Sequence, residues 1–377
     1  MNSQYDFSAH RPVTIYTGTD CVKDHPEAFA DCGSRALIVS GKHGADACGA
    51  IRDIAETLDK AGCTYVRFAK IPENPPADLC HEAGQLARDE HCDFVVAVGG
   101  GSALDAGKAI AGYAANPDCA PMDIFDDEKR KNPCLPIIAI PTTAGTGSEA
   151  CRYSVLTIDG GVRKKTFKQE SAYPRYSFVD PKYTATLNRE YTESTALDAL
   201  AHAIESWFSP KSDPVSEEAA LYAAREIWDV LFRGADAVEG EEYSAKQRER
   251  LSYAACAAGI AIDHTGTGFP HPLGYSLTLT RGIPHGYACA IFEGAFLSYN
   301  RITAVGRRRA AALANALGTT VEEMTEKIPE KSGIHLHIEP EEREELIDRV
   351  AGAGNYANSP YVISRGEMSD IYTRLFG

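Results

Sequence analysis

DFVVAVGGGSALDAGK, residues 93–108, passes from an unbroken apolar run through three successive glycines into a stretch of small residues and helix formers. An apolar run without polar alternation is what a strand covered on both faces looks like. Glycines at its end let the backbone approach a ligand closely, and a helix opening at Ser102 turns its N–H groups and positive dipole end toward whatever sits there. The stretch therefore reads as a buried parallel strand ending in a pyrophosphate cradle.

Working outward, RALIVS at 35–40, TYVRFA at 64–69 and LPIIAI at 135–140 read as further buried strands, with helical segments at 45–60 and 76–90 between the first three. That rhythm predicts a doubly wound, Rossmann-like parallel sheet. A second loop, PTTAGTGSE at 141–149, follows LPIIAI and is rich in hydroxyls and glycine. Adjacent parallel strands would bring both loops to the carboxyl edge of the sheet, where α/β proteins bind nucleotides. The usual G-x-G-x-x-G after the first strand is absent; the chain reads SGKHG there. From 150 to 180 the pieces YSVLTI, VRKKTFK and YSFVD around Asp-Gly-Gly predict a hairpin. Beyond Asp180-Pro181 helical spacing dominates, with helices expected at 194–208, 214–233, 244–262, 285–300, 303–316 and 340–353. The expected organisation is α/β plus all-α: a nucleotide-binding domain over 1–181 and a helical metal-binding and substrate domain over 182–377.

The helical half carries the chemistry. Asp198 and His202 stand four apart in TESTALDALAHAIESWF, so both leave one face of one helix. His271 and His285 follow in TGTGFPHPLGYSLTLTRGIPHG, read as irregular backbone able to return two imidazoles toward that helix. One carboxylate and three imidazoles suit Fe(II) or Zn(II), and the lack of thiolate argues against a closed structural zinc site.

Composition narrows the partners. A formal charge of −15 over 377 residues disfavours nucleic acid and anionic membrane, leaving a small molecule as the expected ligand. No apolar run is long enough to span a bilayer, and MNSQYDFSAHRP has no signal-peptide pattern, so a soluble cytoplasmic protein is expected. The 11 cysteines are scattered without a CxxC pair and read as reduced, small apolar side chains.

Taken together, GGGSALDAGK, PTTAGTGSE, DALAHAIE, His271 and PHG at 284–286 resemble the iron-containing (group III) alcohol dehydrogenase family. The likeness extends from RPVTIYTG through ENPP at 73–76 to NSPYVISRGEMSDIY. It implies a nucleotide-binding α/β domain, a helical metal domain, and a nicotinamide that meets the metal. By position Asp198, His202, His271 and His285 take the family's metal-ligand places. Gly99, Gly100, Gly101, Ser102 and Asp105 fall in the pyrophosphate turn and its helix. Thr142, Thr143, Thr146 and Ser148 take the second cofactor loop, with Asn74 and Lys164 as further carry-overs.

Two departures stand out. Many members place a second histidine four residues after the third ligand, near the nicotinamide, and Tyr275 occupies that position here. A phenol donates a hydrogen bond but is a poor base near neutral pH, so Tyr275 or His264 becomes the candidate proton-transfer group. NAD-preferring members often end the first strand on an aspartate for the adenosine ribose, whereas here Gly41 lies between Ser40 and Lys42. Without that carboxylate, and with Ser40, Lys42 and His43 nearby, NADP(H) is expected over NAD(H). The expected activity is metal-dependent hydride transfer between NAD(P)H and a small alcohol or aldehyde, in a homodimer because helical domains of this kind commonly pair. A zinc-dependent, glycerol-type polyol dehydrogenase is the nearer alternative. A dehydroquinate-synthase-like lyase would need a basic pocket, for which the motifs supply only Lys108 and Lys164.

Overall fold

The computed structural model describes residues 5–9 and 12–377. Part of the amino-terminal stretch read for a signal, and Arg11 of RPVTIYTG, lie outside the described residues. The chain divides into two compact units, one of residues up to Asn188 with Asp236–Gly259, the other of Arg189–Ala235 with Ile260–Gly377.

The first unit is built on a six-stranded sheet. Its strands are β1 (Thr14–Thr17), β2 (Arg35–Ser40), β3 (Thr64–Phe68), β4 (Phe94–Gly99), β5 (Ile137–Pro141) and, after the hairpin β6 (Tyr153–Ile158) and β7 (Arg163–Lys168), β8 (Tyr176–Val179). The order is β1-β8-β5-β4-β2-β3 with every pairing parallel. Successive residues face opposite layers. Leu37, Val39, Val95 and Ile137 enter one apolar cluster, while Ala36, Ile38, Phe94, Val96, Val98, Ile138 and Ile140 enter the other. Burial on both faces is why these strands carry no polar alternation. β6 and β7 pair antiparallel across Asp159-Gly160-Gly161, the expected hairpin. β8 leaves that hairpin and slots between β1 and β5.

The direction of winding reverses between β2 and β4, so the ends of both strands open onto the switch point, with Ser40 in register with Val98. β4 runs into the helix Gly101–Ala115, whose Gly107 lies so close to the sheet that a Cβ there would stand 2.4 Å from the Ala97 Cβ. Gly147 of the second loop, at φ +60°, is pressed onto Gly259, and a Cβ on Gly147 would fall 2.4 Å from the Gly259 Cα. Residues 236–259, expected in the helical half, therefore pack with the sheet unit.

The second unit is helical. Arg189–Phe208, Pro214–Arg233, Pro270–Arg281, His285–Asn300, Ala304–Leu317, Val321–Lys331, Pro340–Val350 and Arg365–Phe376 are its helices, and Ala245–Thr265 ends in it. Local signals explain several boundaries: Asp213 and Ser364 form capping boxes with Ser216 and Glu367, and Gly234, Gly282 and Gly318 end helices in the left-handed region. The PHPLG stretch is not irregular, as expected from its sequence, but the first turn of Pro270–Arg281. No helix among the described residues is long and apolar enough to cross a membrane.

Candidate active site

Three helices of the second unit meet at Asp198. Its Oδ1 lies 3.8 Å from His202 Nε2, 3.5 Å from His271 Nε2 and 3.7 Å from His285 Nε2. Tetrahedral ligands at ~2.1 Å from one ion stand roughly 3.4 Å apart, so the separations have the scale of a shared metal. Asp198 Oδ1 and His271 Nε2 are also buried without a hydrogen-bond partner. Two buried polar atoms facing one another unsatisfied are costly unless something binds between them. The donor set thus fits a divalent cation.

The approach depends on glycine. Gly286 follows His285 at the start of its helix and touches the Asp198 helix backbone to backbone: a Cβ there would fall 1.7 Å from the Ser194 carbonyl oxygen. Behind His271, its Nδ1 lies 2.6 Å from Glu205 Oε1, and Glu205 Oε2 accepts from the Gly268 N–H at 2.5 Å. With Nδ1–H donated to Glu205, Nε2 is the nitrogen that would lose its proton and offer a lone pair to an ion beside Asp198. Burial opposes charge on His271, yet Glu205 and Asp198 outweigh it and raise the imidazole to about 9. Burial would likewise raise the Asp198 carboxyl, but the surrounding His202, His285 and His271 hold it well below the usual range. Glu293, fully buried beyond Glu205, is pushed well above the usual carboxylate range by burial and by the Glu205 charge. Of the three imidazoles His285 is nearest solvent, with 25 % side-chain exposure against 2 % for His271. Its ring stacks on Tyr275 at 5.0 Å, and Tyr275 meets His271 edge-on at 6.3 Å.

In the first unit the two glycine loops do lie side by side at the sheet edge. Gly99 pairs with Pro141 in register, and the Thr142 N–H donates to the Gly99 carbonyl at 2.9 Å. A Cβ on Gly100 would stand 3.2 Å from Thr143 Cγ2, and one on Gly101 2.4 Å from Thr146 Cγ2. These glycines thus allow loop to pack on loop as well as backbone to approach a ligand. Thr143 and Thr146 remain half-buried at the rim, whereas Thr142 and Ser148 are buried. Ser148 Oγ donates to Asp105 Oδ1 at 2.6 Å and accepts from Lys108 Nζ at 2.7 Å. Lys108 also donates to the carbonyls of Ser148 and Tyr153, at 2.6 and 2.8 Å, and is fully buried. It pins the loop and is no pocket cation. Asp105 accepts from the Val155 N–H at 2.9 Å, and Lys164 of β7 lies within electrostatic reach of it. Burial raises the Asp105 carboxyl, against the Lys108 charge. Asn74, at φ +53°, donates its N–H to Ser102 Oγ at 3.1 Å, which seats it beside the pyrophosphate turn.

Residues 12–181 match the family described as iron-containing alcohol dehydrogenase, and residues 192–376 match the carboxyl-terminal part of the Fe-containing alcohol dehydrogenase family. The chain belongs to the iron-containing alcohol dehydrogenase family. Among curated relatives, a choline dehydrogenase of Bacillus subtilis is 30% identical over 86% of this chain and 80% of that protein. A 1,3-propanediol dehydrogenase of Citrobacter freundii is 34% identical over 72% of this chain and 69% of its own. An iron-containing alcohol dehydrogenase of Thermotoga maritima superposes with a TM-score of 0.88 at 32% identity, covering 97% of this chain and 98% of that one. A sulfoacetaldehyde reductase of Bifidobacterium kashiwanohense, solved with NAD+, superposes at 0.83 with 28% identity and 97% coverage of each. This member of the alcohol dehydrogenase family is accordingly an oxidoreductase, and the lyase reading is not favoured.

The alcohol dehydrogenase scaffold sorts the remaining candidates. His264 is exposed and engages Asp213 Oδ2 at 2.8 Å, at the N-cap of Pro214–Arg233. The structure does not bring it into the ligand group. Glu205 carries a signal in DALAHAIE: seven residues after Asp198 and three after His202, it shares their helix face. Glu205→Gln is expected to weaken metal affinity about 10- to 100-fold, because the amide still orients His271 but, uncharged, leaves it a less basic donor. Titration of the metal-free variant against a chelator measures this. An unchanged affinity would remove Glu205 from the site.

Proposed function

We propose that the chain reduces small aldehydes and oxidises small alcohols with NADP(H), using one divalent ion, Fe(II) or Zn(II), held by Asp198, His202, His271 and His285. The convergence of unsatisfied Asp198 Oδ1 and His271 Nε2 with two further imidazoles carries the reading. When bound, the ion would supply Lewis-acid polarisation of the substrate oxygen while the nicotinamide gives or takes the hydride. One carboxylate and three neutral imidazoles leave that ion net positive, and Glu205 fixes the His271 tautomer it requires. Tyr275, beside His285 and His271, offers an O–H to an oxygen that gains charge as hydride arrives. Gly99–Ser102, Thr143 and Thr146 offer N–H and hydroxyl donors to a pyrophosphate.

At the adenosine end, groups other than Ser40 support the reading. Ser40 is fully buried, its Oγ donating to the Gly41 carbonyl at 3.0 Å and accepting from Arg67 at 3.3 Å. Arg67 of β3 replaces it among the groups able to meet a 2'-phosphate, alongside exposed Lys42 and His43. Asp46 already engages Arg67, with Oδ1 2.9 Å from one guanidinium nitrogen, so the phosphate shares that cation. A cytoplasmic setting is supported by 11 free cysteines, and we infer a homodimer.

Anaerobically purified protein is expected to contain Fe or Zn and to show a higher kcat/KM with NADPH than with NADH across an aldehyde panel. Gly41→Asp is expected to lower the NADPH value roughly 30-fold, the equivalent of about 2 kcal/mol of like-charge repulsion. Metal-free, fully active protein would overturn the metal assignment. A preference for NADH would overturn the cofactor assignment alone.

A further inference from the structure

By spacing all 11 cysteines read as small apolar side chains, yet one ends beside the Asp198 group. Cys289 is fully buried one helical turn after His285, with Sγ 3.6 Å from His285 Nε2. Asp198, His271, His285 and Cys289 offer four potential ligand atoms that all lie within 4.8 Å of one another. Two ligands of one ion stand no farther apart than the sum of their bond lengths, about 4.4 Å for a thiolate and an imidazole, so small side-chain rotations close the set on one ion. The neighbouring helix leaves room for the sulfur: a Cβ on Gly274 would stand 3.1 Å from Cys289 Sγ. The unsatisfied Asp198 Oδ1 and His271 Nε2 point independently to an ion in the same place.

Resting on the four-ligand reading above, we propose that Cys289 is an additional ligand, binding the ion as a thiolate from the side of His285. The thiol proton leaves to solvent as the ion enters. A carboxylate and a thiolate together neutralise a divalent charge only while the sulfur is bound, its displacement leaving the ion net positive, and sulfur shifts the preference from Mg2+ and Mn2+ toward Zn2+, Co2+ and Fe2+. Bound sulfur also occupies a coordination position, which connects substrate entry to its displacement.

Cobalt substitution tests this without recourse to turnover. The protein is depleted of metal, loaded anaerobically with Co(II), and its absorption spectrum recorded for the native chain, Cys289→Ser and Cys289→Ala. The native protein is expected to show visible d–d bands together with near-ultraviolet thiolate-to-cobalt charge transfer. Both variants should lose the charge transfer and keep the d–d bands and cobalt content. Native protein with d–d bands and no charge transfer overturns the proposal, as does charge transfer that survives in Cys289→Ser. Native protein that binds no cobalt overturns the four-ligand reading and this inference with it. Should the variants fail to fold, the native spectrum alone decides.

Discussion

Replacing His271 by alanine is expected to abolish turnover while the protein stays folded. The imidazole is 2 % exposed, its Nδ1 engaged by Glu205 at 2.6 Å and its Nε2 facing Asp198 at 3.5 Å. Removing it takes one neutral donor from the ion and leaves Glu205 buried with an unanswered oxygen. Metal polarisation of a reacting oxygen supplies several kcal/mol, so kcat/KM should fall by about a thousandfold or more. The accompanying loss of stability, about 1–3 kcal/mol for a buried partner left unpaired, is smaller than a domain's usual margin. His285→Ala should match the loss of turnover with less destabilisation, because that side chain is 25 % exposed. Steady-state kinetics, bound metal and denaturant unfolding of both variants make the comparison. Undiminished activity in either one would sink the ligand assignment.

Gly286→Ala is expected to disable the same site without touching a ligand. Its new methyl would fall 1.7 Å from the Ser194 carbonyl oxygen, and no rotamer can avoid a backbone atom. The helices carrying His285 and Asp198 must then separate, at a cost of about 3 kcal/mol. Separations of 3.5–3.8 Å around Asp198 leave little tolerance for that movement. The variant should bind metal weakly, lose most of its turnover and unfold at lower denaturant. Gly366→Ala serves as a control, since a Cβ there meets only Ser364 Oγ at 3.9 Å. Equal metal content in Gly286→Ala and the native chain would show that the close approach is unnecessary.

The strands β2, β4 and β5 were legible because double-sided burial leaves an apolar run, and the loops because glycine and threonine accumulate where strands end. β3, read as buried, is instead the edge strand, with Thr64 and Tyr65 exposed and only Phe68 buried. The helix Pro270–Arg281 was not legible. PHPLG resembles a loop, yet first-turn N–H groups have no intrahelical partner, so Pro270 and Pro272 remove nothing the helix uses. Val321–Lys331 hid behind the interior Pro329, although Thr320 and Glu323 mark its start. β1, four residues long, is too short for a pattern, and β8 reads from YSFVD as part of the hairpin, whereas it joins the main sheet between β1 and β5. In the site, Asp198 and His202 were legible from helical spacing. Glu293, Cys289 and Gly286 were not, because what matters about them is the neighbouring helix. Ser148 and Asp105 illustrate a different limit. Sequence shows polar atoms near a cofactor loop but not that Lys108 and the two of them satisfy one another.

The contact of Gly147 with Gly259 sets an order on the birth of the protein. A chain leaves the ribosome amino end first, and units generally condense as their parts emerge. The nucleotide unit, however, cannot finish on its own strands: the second loop waits for a glycine supplied after Asp198 and His202 have been made. Part of the metal unit must therefore emerge while the sheet unit is still incomplete. Folding of the two is interleaved along the chain, and the nascent sheet has to persist with one of its loops unseated until Gly259 arrives.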